Sequence, residues 1–498
     1  MNDALEYESL FERYKGRIGL LSGPLLALLI WVLPFPGLSP HAHTLAAILA
    51  WVGIYWITEP IPLPITSLLG TALCVLMGLG SVKAIFAPYA HPVIFLFIGS
   101  FLIAEALAVH GVDRRFASWI LSLPWVGAKP SRVLLAIGLI TAIISMWISN
   151  TAATAMMVPI ALGALGTLGG ATTANLGRYR IGLLLMLSYS ATAGGLATVI
   201  GTPPNLIGVG LIQQETGVSI SFLTWMLVGF PISILMLGIS WLLLNRFFPA
   251  VATNLADISP LLPLTQPQTG SWNKGERNAC MAFGIAIALW VVPSVLGVLL
   301  GNQHPAPRWL ESHIPNETAA LFAAALLFVL PMNLAEGTFT LSWAQASKID
   351  WGTILLFGGG LAFGELMMKT GLSTAIGEGF VHLFGVTSVW GLTAVAIAVA
   401  ILTSELASNT ASATMLIPVV IAIAQSEGVS PIPPAIGACL AASLGFSLPI
   451  STPPNAIVYG TGLIPLTSMI RIGLIIDVIG GLLIWISLWF LCPLVGLV

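Results

Sequence analysis

SNTAATAMMVP, Ser149 to Pro159, and SNTASATMLIP, Ser408 to Pro418, place one polar triplet at the head of one apolar run, 259 residues apart. The surrounding chain is poor in such groups. Of its 498 residues 57% are hydrophobic and only 7% charged, with a mean hydropathy of +0.98. Soluble proteins carry roughly a quarter charged residues, and apolar runs of about 20 residues read as membrane spans. The chain is therefore a polytopic membrane protein. A net charge of −2 leaves no basic field for nucleic acid.

Apolar segments fall near 18–34, 44–59, 62–80, 94–110, 181–214, 221–247, 279–301, 317–332, 353–369, 433–464 and 469–496. Two more, 132–166 and 388–425, are interrupted by Ser-Asn-Thr. The pattern predicts an all-α fold of eleven transmembrane helices plus two re-entrant helical hairpins whose tips carry the triplets. Of 17 Lys and Arg, all but Lys83, Arg308 and Lys369 then fall on the side of the N-terminus, which is assigned to the cytoplasm by the positive-inside pattern. The N-terminal MNDALEYESLFERYKGRIG is charged and amphipathic, without a following small-residue cleavage site, and reads as a surface helix before a retained first span.

The two halves align. IFLFIGSFLIAEALAVHG from Ile94 matches ILLFGGGLAFGELMMKTG from Ile354, the Ser-Asn-Thr triplets follow, and GTPPN (Gly201–Asn205) matches STPPN (Ser451–Asn455). Each unit holds five spans and one hairpin, and an odd number of spans makes the repeat inverted. The expected organisation is a surface helix and first span over 1–43, then repeat 1 over 44–250 with a cytoplasm-entering hairpin. A cytoplasmic linker over 251–278 leads to repeat 2 over 279–498, with an outside-entering hairpin. Two adjacent prolines remove two N–H donors and push their preceding residues out of the α region, so each TPPN breaks its helix. Broken backbone at membrane depth is tolerated where it is buried in protein or lines a cavity.

Tips and breaks offer hydroxyls, Asn amides, N–H groups at restarting helices and carbonyls at ending ones. Helix N-termini favour anions, while carbonyl and hydroxyl oxygens favour a hard cation such as Na+. Ser145 and Ser404 each precede the triplet serine by four residues, on the same helical face. Every Lys and Arg is expected near a membrane face with none beside a tip, so an anion there would be neutralised by helix dipoles and co-bound cations. Among the acids, Glu105 and Glu365 read as a structural pair or caps, Glu405 as an exposed hairpin-mouth residue, and Asp477 as a helix-pairing group. Glu59 reads as structural in a proline-rich turn. The four cysteines show no CxxC spacing and the seven histidines no HExxH, and there is no nucleophile–base pair for an intramembrane enzyme.

The two SNT triplets, the two TPPN-type breaks, the five-span repeat and TEPIPLPITSLL together resemble the divalent anion/sodium symporter family, which includes dicarboxylate and citrate transporters. The likeness runs from about Leu45 to the end. It implies a homodimer in the cell membrane whose transport domain moves as an elevator against a fixed scaffold. It also implies one Na+ site at Ser145, Ser149, Asn150 and Gly201, and a second at Ser404, Ala407, Asn409 and Ser451. Substrate carboxylates would meet Asn150–Thr151 and Asn409–Thr410, closed off by Thr202–Pro203 and Thr452–Pro453. Thr after Asn in both copies is similar to the four-carbon dicarboxylate members. Na+-coupled symport of a succinate-like anion is the expected function. A Na+-independent dicarboxylate exchanger and a sulfate or citrate carrier are the alternatives on the same scaffold.

Overall fold

The computed structural model describes residues 2–123, 125–126, 129–168, 177–249, 271–301, 304–384 and 388–498. Of the linker expected over 251–278, residues 251–270 lie outside the described residues. Its end is the capping box in which Asn273 and Glu276 bond each other's backbone N–H at the start of a helix.

Helices appear where the apolar segments predict them. The first half holds α1 (Asn2–Val32), α2 (Pro40–Thr58), α3 (Leu63–Leu76), α4 (Val82–Phe86), α5 (Pro92–Val109), α6 (Val112–Leu121), α7 (Pro130–Ser145), α8 (Asn150–Leu168), α9 (Gly177–Gly195), α10 (Pro203–Thr216) and α11 (Phe222–Phe247). The second holds α12 (Lys274–Leu300), α13 (Pro305–His313), α14 (Asn316–Val329), α15 (Trp343–Ala346), α16 (Trp351–Thr370) and α17 (Leu372–Phe384), then α18 (Val389–Leu406), α19 (Asn409–Ser426), α20 (Ile432–Ala441), α21 (Pro453–Tyr459) and α22 (Leu466–Leu494). Among the described residues eight helical segments are long and apolar enough to cross a membrane. The segments expected as a surface helix and a first span form one uninterrupted helix, α1.

Three features were not anticipated. Residues Pro331–Asn333 and Thr338–Phe339 form a small antiparallel β-ladder in an otherwise helical chain. The amphipathic helices α6 and α17 follow α5 and α16 at matching positions, each entered through a left-handed glycine, Gly111 (φ 69°) and Gly371 (φ 79°). Both expected breaks are wider than the TPPN motif itself: α9 ends at Gly195 and α10 begins at Pro203, while α20 ends at Ala441 and α21 begins at Pro453.

Packing interleaves the halves. The restarting helix α10 packs on the tip helix α19, and α21 packs on α8 and α9. The helices α5 and α14 pair, as do α3 and α16. The four cysteines are free thiols.

Candidate functional site

The sequence places a serine four residues before each triplet, and the fold uses both in one way. Ser145 Oγ donates to Asn150 Oδ1 at 2.6 Å, and Ser404 Oγ donates to Asn409 Oδ1 at 2.7 Å. Ser149 and Ser408 cap the helices that follow, accepting from the N–H of Ala152 (3.2 Å) and Ala411 (3.1 Å). Each tip thus joins the carbonyl end of one helix to the N–H end of the next.

The breaks lie against these tips. Gly195 approaches the first so closely that a Cβ there would sit 2.6 Å from Asn150 Oδ1. Gly201 in turn lies against the Gly195 carbonyl. The last residue of each TPPN element closes its own break: Asn205 Nδ2 donates to the carbonyls of Gly195 (2.8 Å) and Thr198 (2.7 Å). Asn455 Nδ2 does the same to Gly445 (2.8 Å) and Leu448 (2.9 Å). Sequence reading treated these asparagines only as motif ends; their identical offset from TPP in both copies was the available signal.

The two sites differ where Met146 aligns with Glu405. In the first, Thr198 Oγ1 donates to the Met146 carbonyl at 2.5 Å. In the second, the Glu405 carboxylate accepts from Ser447 N (2.9 Å), Leu448 N (3.2 Å) and Ser451 Oγ (2.6 Å). Glu405 is therefore buried within the second break, not exposed at a hairpin mouth. Three donors for one carboxylate are what its burial requires. Asp477 of α22 meets the same stretch, accepting from Ser447 Oγ (2.7 Å) and Phe446 N (3.4 Å), so it pairs its helix with the break. Glu365 is bound to Lys369 one turn on, whereas Glu105 lines a cavity. Glu59 caps α2 with a left-handed backbone.

Two cavities reach the tips. One, of ≈ 370 Å3, is lined by Ser149, Thr151, Gly201 and Pro203 together with Ser100, Glu105, Lys348 and Asp350. The other, of ≈ 590 Å3, is lined by Ala407, Leu406 and Ile450 with Lys15, Arg17 and Glu59. Asn150, Thr202, Asn409, Thr410, Thr452 and Pro453 line neither; they sit in the tip and break backbones beside them. Here the expectation that no basic residue lies beside a tip fails. Lys15 Nζ donates to the Leu406 carbonyl at 3.2 Å. Lys15 lies in α1, which brings its ammonium to the end of α18 beside the second tip. That reach is a tertiary fact with no local sequence signal. Among the described residues no cluster of three or more His, Cys, Asp and Glu is placed to hold a metal.

A family profile described as the sodium:sulfate symporter transmembrane region matches residues 18–497. The sodium-dependent dicarboxylate transporter SdcS of Staphylococcus aureus strain USA300 is 34% identical over 492 residues, covering 96% of this chain and 91% of the relative. SdcS of strain bovine RF122 / ET3-1 matches to the same extent. In fold the chain is similar to the Alcanivorax borkumensis YdaH transporter (TM-score 0.55, 13% identity, 83% of this chain and 88% of that one). It is also similar to Neisseria gonorrhoeae MtrF (TM-score 0.56, 13% identity, 84% and 83%). The duplicated tips and breaks thus stand in a chain that belongs to the sodium:sulfate symporter transmembrane-region family, the divalent anion/sodium symporters, and is a membrane transporter, not an enzyme.

Proposed function

We propose that this chain is a secondary active transporter that imports a C4-dicarboxylate such as succinate together with Na+. The observation that carries the reading is the twofold Ser–Asn tip, Ser145–Asn150 and Ser404–Asn409, each set against a helix break closed by a TPPN asparagine. Oxygens of Ser145, Ser149, Asn150 and Gly201 would hold one Na+, and those of Ser404, Ala407, Asn409 and Ser451 a second. The fit is supported by Ser443, fully buried beside Asn409, whose Oγ has no hydrogen-bond partner among the described residues. The anion's carboxylates would be received at Asn150–Thr151 and Asn409–Thr410, with Thr202–Pro203 and Thr452–Pro453 closing over them. There the N-termini of α8 and α19 supply N–H groups and positive dipole ends, while α10 and α21, which each open on two prolines, add only their dipole ends. The sodium-dependent dicarboxylate transport named for SdcS supports the same choice.

The membrane arrangement belongs to this reading. Eleven spans and two re-entrant hairpins, 132–166 and 388–425, form inverted repeats over 44–250 and 279–498, joined by a linker over 251–278. The N-terminal segment 1–43 precedes them, with the N-terminus cytoplasmic in the cell membrane. Two copies form a homodimer, and the hairpins with the broken helices move as an elevator. Both cavities at the tips are lined by residues assigned to the cytoplasmic face, Lys348 in one and Lys15 and Arg17 in the other, which supports a cytoplasm-open state.

The test is uptake of radiolabelled succinate into proteoliposomes under an inward Na+ gradient against equal K+, for the native chain, Asn150→Ala and Asn409→Ala. Uptake only with Na+, lost in both variants, is the expected result. Uptake indifferent to Na+ but dependent on internal dicarboxylate would make the chain an exchanger. Transport of sulfate in place of succinate would follow the description of the matching family profile.

A further inference from the structure

The bond from Lys15 to the second tip is built into the packing of α1 on α2. Gly16, Gly19 and Gly23 form a seam against α2; a Cβ on Gly19 would fall 1.9 Å from Thr58 Oγ1, and one on Gly23 2.7 Å from Tyr55 Cε1. Such small-residue seams let membrane helices approach closely. Tyr55 Oη donates across the seam to the Leu20 carbonyl at 3.1 Å. The seam fixes the turn carrying Lys15 at the end of α2, where Glu59 takes the left-handed conformation (φ 48°, ψ 46°).

What Lys15 meets there is chemically specific. Leu406 is the last residue of α18, so its carbonyl has no N–H of its own helix to accept from, and the helix end carries partial negative charge. The ammonium takes that carbonyl at 3.2 Å. The next residue is Ala407, and Ser404, Ala407, Asn409 and Ser451 are the oxygens assigned to the second Na+. A Na+ bound by those oxygens would share this helix terminus with the Lys15 ammonium. The cavity they share is lined by Lys15, Arg17 and Glu59, two positive side chains against one negative.

We propose that Lys15 is a tethered cation that lowers Na+ affinity at the second tip in the cytoplasm-open state, and so drives Na+ release into the cell. The inference rests on the symport reading and on the orientation given above. Alternating access requires the tip to face each side in turn. The α1–α2 seam holds Lys15 on the N-terminal face, so when the site opens outward the Leu406 carbonyl leaves it. The second site then regains its affinity on the side where Na+ is taken up. Lys15 is a positioning and specificity residue for the ion step; it does not contact the anion.

The test uses the full chain in proteoliposomes of known orientation, with Na+ varied on one face at a time and the half-saturating Na+ for succinate flux read on each. The variants are Lys15→Met, which keeps the apolar stem and removes the charge, and Lys15→Arg, which keeps the charge. Lys15→Met is expected to lower half-saturating Na+ on the cytoplasmic face by about tenfold, the scale of like charges several ångströms apart in partly screened surroundings. It should sharpen inhibition of uptake by internal Na+ and leave the outer value unchanged, while Lys15→Arg follows the native chain. An unchanged cytoplasmic value, an equal shift on both faces, a shift toward weaker binding, or Lys15→Arg behaving as Lys15→Met would each overturn the proposal. Retained outer-face activity shows that the variant is folded. The native chain separates the two readings: flux indifferent to Na+ removes the symport reading and this inference with it. Na+-dependent native flux with an unresponsive Lys15→Met removes this inference alone.

Discussion

Asn205 and Asn455 make the same two bonds, each closing its break by donating to carbonyls ten and seven residues upstream, yet their oxygens end differently. Asn455 Oδ1 accepts from Ser188 of α9 in the other repeat, whereas Asn205 Oδ1, fully buried, has no partner among the described residues. Ala438 holds the place in α20 that Ser188 holds in α9.

That difference predicts unequal costs. Asn205→Ala frees two buried carbonyls, and an unmet buried polar group costs about 1–3 kcal/mol. Asn455→Ala frees two carbonyls and the Ser188 hydroxyl as well, so it should lower the thermal midpoint further. Unfolding of the purified variants in detergent, followed by tryptophan fluorescence, checks the order. Ser188→Ala should narrow the gap.

Glu405→Gln tests whether the carboxylate holds the second break. Gln offers one oxygen where the carboxylate accepts from Ser447 N, Leu448 N and Ser451 Oγ, so about 1.5–3 kcal/mol per charged bond is at stake. Na+ half-saturation should rise by about tenfold or more. A double-mutant cycle with Ser451→Ala should be non-additive, since the two side chains touch at 2.6 Å. Additive effects would separate Glu405 from the site.

Gly195→Ala and Gly445→Ala form a graded pair. A methyl at Gly195 lies 2.6 Å from Asn150 Oδ1 and pulls that amide off Ser145; one at Gly445 meets Ser451 Cβ at 3.1 Å and Ser404 Oγ at 3.4 Å. Succinate uptake should fall by more than about tenfold in the first, where overpacking costs roughly 1–3 kcal/mol, and by less in the second. Equal losses would argue against the close contact at the first tip.

The ion pair Arg115–Glu276 (3.0 Å, with a second bond at 3.1 Å) ties α6 to α12 away from the tips, and Glu276 also belongs to the capping box. Glu276→Gln should cost about 1.5–3 kcal/mol of stability by removing the charged bonds to Arg115. Half-saturating Na+ should not change, a combination that separates support from ion binding.

Legibility of the sequence followed locality. The helix restarts at TPPN and the serine four residues before each tip are short-range consequences of proline and spacing, and they appear at the expected residues, whereas the caps at Ser149 and Ser408, equally local, were not read. Glu405 was misread because two of its three partners, Ser447 and Leu448, stand in SLGFSLP, a stretch without a motif, 42 and 43 residues away. Its repeat mate Met146 gave no hint of a buried carboxylate. Lys15 was misread for a similar reason. A basic residue at the head of a span usually marks the membrane face, and only the glycine seam on α2 turns it toward a helix end 391 residues distant. Gly16, Gly19 and Gly23 were visible in the sequence, but their partner helix was not.

The crosswise seating of α10 on α19 and of α21 on α8 sets a condition on biogenesis. While the ribosome is still making the second half, α8 and α10 are already emerging without the surfaces that will cover them. Made alone, the first half would leave α8 and α10 without these partners, so a chain cut within 251–270 is expected to recover its packing only if both pieces are made together. Contacts between the halves thus place the completion of the packing late in synthesis, after α19 and α21 have been made.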